Sequence, residues 1–301
     1  MATVDHDALR RQLGRVGVWG ALATASAAQE RPAAAELERF GYTALWFGEG
    51  PATKEAFVHA ATLLAATERI VVATGIANIY ARDATAMNNA GLLLAEAYPG
   101  RFVLGLGVSH LPLVQARGHD YRRPLTARRE YLDAMDRVKY APPPPPQPLP
   151  RVLAALRRRM LELARDRTEG AHPYLVTPEH TARARAVLGA APILAPEQAV
   201  IVEPDASRAR AAGRRHLALY LTLPNYVNNF RAMGFGDADL SNGGSDRLVD
   251  ALVAWGDVDA VVERVRQHHA AGADHVAIQA IATEPGRALD DLRVLAPALL
   301  G

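Results

Sequence analysis

Glu49 stands between Gly48 and Gly50, so the backbone can approach a ligand closely beside a carboxylate. A carboxylate in that setting either orients a bound ring, acts as acid or base, or pairs with an arginine at a rim. His110 ends the run Gly105-Leu106-Gly107-Val108-Ser109-His110 and is the best-placed proton donor in the chain, unless it is a solvated loop residue. Thr177-Pro178-Glu179-His180 reads as the start of a helix, with Thr177 as cap. Such a terminus could take a phosphate, although capping alone explains the same residues. Arg157, Arg158 and Arg159 form either a bidentate phosphate clamp or a solvated helix start. Trp19, Tyr80 and Tyr174 could stack on a planar ring or fill the core. No metal site is expected, because His268 and His269 are adjacent rather than one turn apart and no HExxH occurs. Gly105-x-Gly107 lacks the third glycine of a dinucleotide fingerprint.

These residues share a position: each follows a short apolar run. Eight such runs read as strands, at 15–20, 43–48, 69–76, 102–107, 151–156, 171–176, 199–203 and 274–281. Most are continuously apolar, as strands buried on both faces must be. Between them lie helical stretches at 29–39, 53–67 (from a Thr53 cap), 83–97 and 257–271. Gly41 and Gly272 follow two of these as helix-ending glycines. Eight β/α alternations predict a (β/α)8 TIM barrel, whose chemistry sits at the C-terminal ends of its strands. Residues 205–256 are too long for one loop and predict a helical insertion after strand 7. It either roofs the site or serves packing and dimerisation. The proline run at 141–150 reads as a stiff surface connection.

Composition narrows the class. The 301 residues suit one barrel domain spanning 1–301, and with no cysteine the chain has no disulfide, thiolate metal site or cysteine nucleophile. Net charge is only +2, with the basic residues dispersed, which argues against nucleic acid as partner. No stretch approaches the length of a membrane span, and the N-terminus has no apolar signal region, so a cytoplasmic protein is expected.

The run from Glu68 to Asn78, then Tyr80-Ala81-Arg82-Asp83, then Ala95 to His110, resembles the luciferase-like monooxygenase superfamily, most closely its coenzyme F420-dependent, often actinobacterial, branch. The likeness continues through Arg128-Arg129-Glu130-Tyr131 and Gly170 to His180, nearly the whole chain. The resemblance implies a non-proline cis peptide bond at Gly75–Ile76, in a bulge with Ala77 that props the ring's back face. It implies a polar contact from Asn78, an acidic wall at Glu49, and the Gly107-Val108-Ser109-His110 loop beside the reacting carbon. It also implies that Thr177 and His180 lie near the cofactor tail. Gly50 stands where relatives that oxidise glucose 6-phosphate carry a histidine base, and Arg157-Arg158 where close relatives have Gly-Pro.

The implied reaction is hydride transfer between coenzyme F420 and a small organic substrate, with His110 moving the proton and Glu49 orienting the ring. Two alternatives are a monooxygenase using reduced FMN, fed by a separate reductase, and a barrel that binds a flavin without turnover. The expected partners are a small-molecule substrate and, further off, a second copy of the chain or that reductase.

Overall fold

The computed structural model describes residues 3–22, 25–284 and 286–301. The chain begins with α1 (His6–Leu13), β1 (Val16–Trp19), α2 (Ala27–Arg39), β2 (Ala44–Phe47), α3 (Ala56–Ala65), β3 (Val71–Thr74) and β4 (Ala77–Asn78). It continues through α4 (Ala84–Ala97), β5 (Phe102–Gly107), α5 (Leu111–Gln115), α6 (Pro124–Asp136), β6 (Arg151–Leu153), α7 (Arg158–Arg167), β7 (Gly170–Ala171) and α8 (Pro178–Leu188). Then come β8 (Ile193–Leu194), β9 (Glu197–Val202), α9 (Ala206–Leu217), a 3-10 turn (Tyr220–Thr222), α10 (Pro224–Ala232), α11 (Asp237–Leu240), α12 (Asp246–Leu252), β10 (Val253–Gly256), α13 (Val258–Ala270), β11 (Val276–Ala280) and α14 (Ala288–Leu300).

All strand pairs are parallel, and the order runs β9-β11-β1-β2-β3-β5-β6-β7-β8. β8 and β9 are consecutive pieces of one stave: Ile193 and Leu194 pair with β7, while Glu197 to Val200 pair with β11. The sheet therefore curls back on itself as a TIM barrel. β3 and β4 are likewise one stave broken at residues 75–76, both pairing with β5. Alternation within each strand sorts two cores. Ala44, Trp46, Val71, Ala73, Val103 and Val152 fill the barrel interior, sealed below by Leu9 and Leu13 of α1. Leu45, Phe47, Val72, Phe102 and Leu104 face outward against the helices. The insertion builds a third core of Phe230, Leu248, Val249 and Leu252 against Ala199 and Ile201 of β9.

Four expectations are corrected. The fifth and sixth strands stop at 153 and 171 rather than 156 and 176, because Ala154–Leu156 and Tyr174 leave the sheet to wall a cavity. The insertion ends in an unforeseen strand, β10, which pairs with β9. The α3 cap is Glu55, whose carboxylate accepts the Val58 N–H; Thr53 instead closes a turn on Gly50. α1 itself, capped by Asp5, had not been anticipated. The helices read at 83–97 and 257–271 are present, and the structure starts them from Asp83 and Asp257 caps. Among the described residues no helix is long and apolar enough to cross a membrane.

Candidate active site at the strand ends

A cavity of about 650 Å³ opens at the C-terminal ends of β6 and β7. Its walls include Tyr121, Ala154–Met160, His172, Tyr174 and, from the insertion, Asn225 and Tyr226. The insertion therefore roofs the site rather than lying apart from it.

The inner wall is glycine-bared and held by aromatic hydrogen bonds. The Gly75–Ile76 peptide bond is cis. A Cβ on Gly75 would stand 2.7 Å from Trp19 Nε1 and 2.8 Å from His172 Nε2, so only glycine lets both rings close on this bulge. Gly107 plays the same part for Ile76, whose side chain would lie 2.2 Å from an added Cβ. Trp19 donates from Nε1 to His172 Nε2 at 3.2 Å, and His172 donates from Nδ1 to the Ala195 carbonyl at 2.6 Å. His172 is stacked on Trp46 at 4.3 Å, and Trp46 donates to His275. Burial pulls the His172 imidazole down to about 4, so it stays neutral with both nitrogens engaged.

His110 is half-buried where β5 meets α5, at the N-cap of that short helix. Ser109 before it has φ 55°, a left-handed turn that swings the chain out of the strand. His110 Nδ1 bonds Asn225 Oδ1 at 3.2 Å, and its ring lies 5.4 Å from that of Tyr226. Since an amide oxygen only accepts, Nδ1 carries the proton and Nε2 holds a lone pair. Burial lowers the His110 pKa, which favours this neutral form. The insertion thus orients His110 and leaves its Nε2 without a hydrogen bond among the described residues.

Asn78, fully buried on β4, uses its Oδ1 to accept the Tyr80 N–H, but its Nδ2 has no partner. Ala77 is buried and pairs with Leu106, and Val108 is buried beyond Gly107. Tyr174 bridges Tyr220 and Gln279, both at 2.8 Å, and tilts against Trp19 at 5.0 Å. With Tyr226 these rings form a continuous aromatic wall.

Several expected site residues serve the scaffold instead. Both Glu49 oxygens are consumed: Arg82 bonds the two, Asn78 N–H donates at 2.8 Å and Ala56 N–H at 3.3 Å. With a 3% exposed side chain it is the arginine-paired rim residue, not a free acid or base. Arg158 lies at the cavity rim, its side chain 81% exposed and bonded to Glu162 one turn on. Thr177 caps α8 through the His180 N–H, and His180 Nε2 donates to the Leu156 carbonyl; both are buried and neither lines the cavity. His172 was missed, because the strand read as 171–176 ends at Ala171 and so leaves His172 at the strand end rather than near its start. Glu197 was missed as well. It is fully buried with one oxygen accepting the Leu175 N–H and the other without a partner, and burial pushes it up to about 8.

Comparison with known proteins agrees with this architecture. The profile described as luciferase-like monooxygenase matches residues 12–275. The uncharacterized protein Rv1360 of Mycobacterium tuberculosis is 26% identical, over 79% of this chain and 86% of its own. An F420-dependent secondary alcohol dehydrogenase, solved with an F420-acetone adduct, superposes with TM-score 0.76 at 13% identity, covering 95% of this chain and 99% of its own. The oxygenating constituent of 3,6-diketocamphane monooxygenase from Pseudomonas putida, solved with FMN, gives TM-score 0.71 at 14% identity, covering 95% and 98%. With the profile spanning most of its length, the chain belongs to the luciferase-like monooxygenase family.

Proposed function

We propose that the protein is an oxidoreductase that transfers a hydride between coenzyme F420 and a small organic substrate bound in the cavity. The observation that carries this is the Asn78 amide: Nδ2 is buried, has no partner, and lies at the end of the stave that pairs with Gly107. A buried amide donor without an acceptor costs about 1–3 kcal/mol, which a heterocycle carbonyl or ring nitrogen would relieve. The residues fit a planar tricyclic ring in other respects too. The glycine-bared bulge at 75–76 and the Trp19 and Tyr174 rings offer flat apolar faces. Arg123, Arg157 and Arg159 at the mouth offer charge to an anionic tail. The fold shared with the F420-dependent alcohol dehydrogenase supports the choice of cofactor.

The bound deazaflavin supplies the hydride chemistry. The chain supplies position and the proton. His110 Nε2 accepts a proton from a substrate hydroxyl, or returns one, while Asn225 holds the ring through Nδ1. His172 cannot share this task, because both of its nitrogens are engaged. It fixes Trp19 instead. The insertion excludes water over the cavity with Asn225 and Tyr226.

The test begins with oxidised and reduced F420 against panels of alcohols, aldehydes and ketones. On any substrate found, His110→Ala should lower turnover roughly 100-fold, within the range of general acid–base contributions, with cofactor affinity unchanged. Full turnover in that variant would remove His110 from the chemistry. The second reading, oxygenation with reduced FMN, draws on the FMN-bound relative of the same fold. It predicts turnover that stops without oxygen, whereas hydride transfer to F420 proceeds anaerobically.

A further inference from the structure

Arg128 lies on α6 and is only 1% exposed. Among the described residues its guanidinium makes one hydrogen bond, from Nη1 to the Ala154 carbonyl. Its Nε is buried without a partner. Among the described residues no carboxylate pairs with it; the groups whose charge it feels are the phenols of Tyr121 and Tyr80. Burial lowers its pKa to about 10, so it is still a cation at neutral pH. Buried charges in proteins are paired, because an isolated one is strongly disfavoured away from water. This one is not paired, and it stands directly behind the cavity wall: Ala154, which it bonds, and Tyr121 both line the cavity, as do Leu125 and Thr126 on the same helix.

The geometry points to an anion subsite in which Arg128 selects substrates that carry a carboxylate, sulfonate or phosphate group. Tyr80 and Tyr121 are suited to assist as neutral donors, since burial keeps both phenols protonated. Tyr121 has only a 3.3 Å bond to the Ser109 carbonyl to give up. The exposed arginines at the mouth are separate from this buried one and are free to serve a cofactor's own charge. A guanidinium recognises planar oxyanions bidentately, which adds orientation to charge and would set the reacting end of the substrate toward the strand ends.

The inference deepens the proposed function and rests on its reading of the cavity as the substrate site. Thermal unfolding of the full chain, titrated with acetate, benzoate and inorganic phosphate against sodium chloride at matched ionic strength, tests it. A saturable rise in Tm with at least one of these anions is expected from ligand linkage. Arg128→Met should abolish that rise, and Arg293→Ala, an exposed control on α14 away from the cavity, should keep it. Absence of any saturable rise in the wild type overturns the subsite, and so does a rise that survives Arg128→Met. Should the methionine variant not fold, crystals of the wild-type protein grown with iodide provide the second measurement. Anomalous density beside the Arg128 guanidinium supports the subsite, and its absence there overturns it. Repeating the titration with protein saturated in F420 or FMN separates the sources. Anion binding that persists assigns the site to substrate, whereas competition assigns it to the cofactor's phosphate and overturns the substrate claim. Anion binding by protein that takes up neither cofactor would sink the cofactor reading while leaving this one standing.

Discussion

Glu49 and Arg128 are two buried charges near the same barrel mouth, and they are treated oppositely. Glu49, at the end of β2, is saturated by Arg82 and two backbone N–H groups. Arg128, facing the ends of β5 and β6, has one carbonyl and no counter-charge. The difference tracks the two sides of the site. Around β1 to β4 most polar groups are consumed by the protein: Trp19 by His172, Trp46 by His275, Glu49 by Arg82. Other groups have capacity to spare just behind the cavity lining: Arg128 against Ala154, His110 against Asn225 and Glu197 against Leu175, with the Asn78 amide at the end of β4. A saturated network makes a rigid wall, and unsaturated groups mark where a ligand completes the structure.

The largest effect expected concerns the buried, uncharged histidines spread around both sides of the barrel. His172, His180, His216 and His275 are pulled down to about 4 and His268 to about 3 by burial. Unfolded, each titrates at about 6.5, so the unfolded chain binds more protons between pH 6.5 and 4. Their contribution is present above about pH 6.5 and is lost as pH falls toward 4, at up to about 3 kcal/mol for each group. Chemical denaturation at pH 7.5 and 5 should show a loss of several kcal/mol in the more acid buffer. Equal stability at the two values would mean that these rings are solvated and the wall is not dry.

Glu49→Ala comes next. It leaves the Arg82 guanidinium with Glu55 as its sole acidic partner and frees the Asn78 N–H, at a cost of about 3 kcal/mol in urea unfolding. A loss below about 1 kcal/mol would erase the contrast with Arg128 and return Glu49 to the list of acid–base candidates. Gly75→Ala is smaller: its Cβ meets two rings that hydrogen bonds hold in place, costing roughly 1–3 kcal/mol and weakening cofactor binding. Asn78→Ala is smallest for the protein: it deletes a donor that has no partner, and with it the acceptor of the Tyr80 N–H, at a cost of about 1 kcal/mol. Its effect belongs to the ligand: cofactor affinity should fall about tenfold, the worth of one buried hydrogen bond, in a fluorescence titration. Unchanged affinity would detach Asn78 from the ring.

Much of the barrel was legible because parallel strands buried on both faces are continuous apolar runs, as at 102–107, where the strand matches its reading end to end. β10 escaped because Val253 follows α12 directly, with no turn residue to separate strand from helix. The overlong reading of strands 5 and 6 has a related cause. Ala154-Ala155-Leu156 and Tyr174-Leu175-Val176 are as apolar as strand but line the cavity or turn away from the sheet, with Leu175 at φ 52°. At the site, strand-end position alone selected His110 and Asn78. His172 escaped because the strand read as 171–176 in fact ends at Ala171, which moves His172 from near the strand's start to its end. Whether Glu49 is saturated depends on Arg82, 33 residues away, a pairing that no local spacing announces. Arg128 did leave a local sign. Leu125, Arg128, Leu132 and Met135 share one face of α6, which sets a charge in an apolar stripe.

The central claim is that the unsaturated side of the mouth holds a deazaflavin. Equilibrium titration of the purified protein with oxidised F420, and in parallel with FMN, tests it most directly. The account predicts saturable, micromolar binding of F420 that weakens in Asn78→Ala. Micromolar binding of FMN alone would shift the function to flavin-dependent oxygenation, and binding of neither would contradict the account.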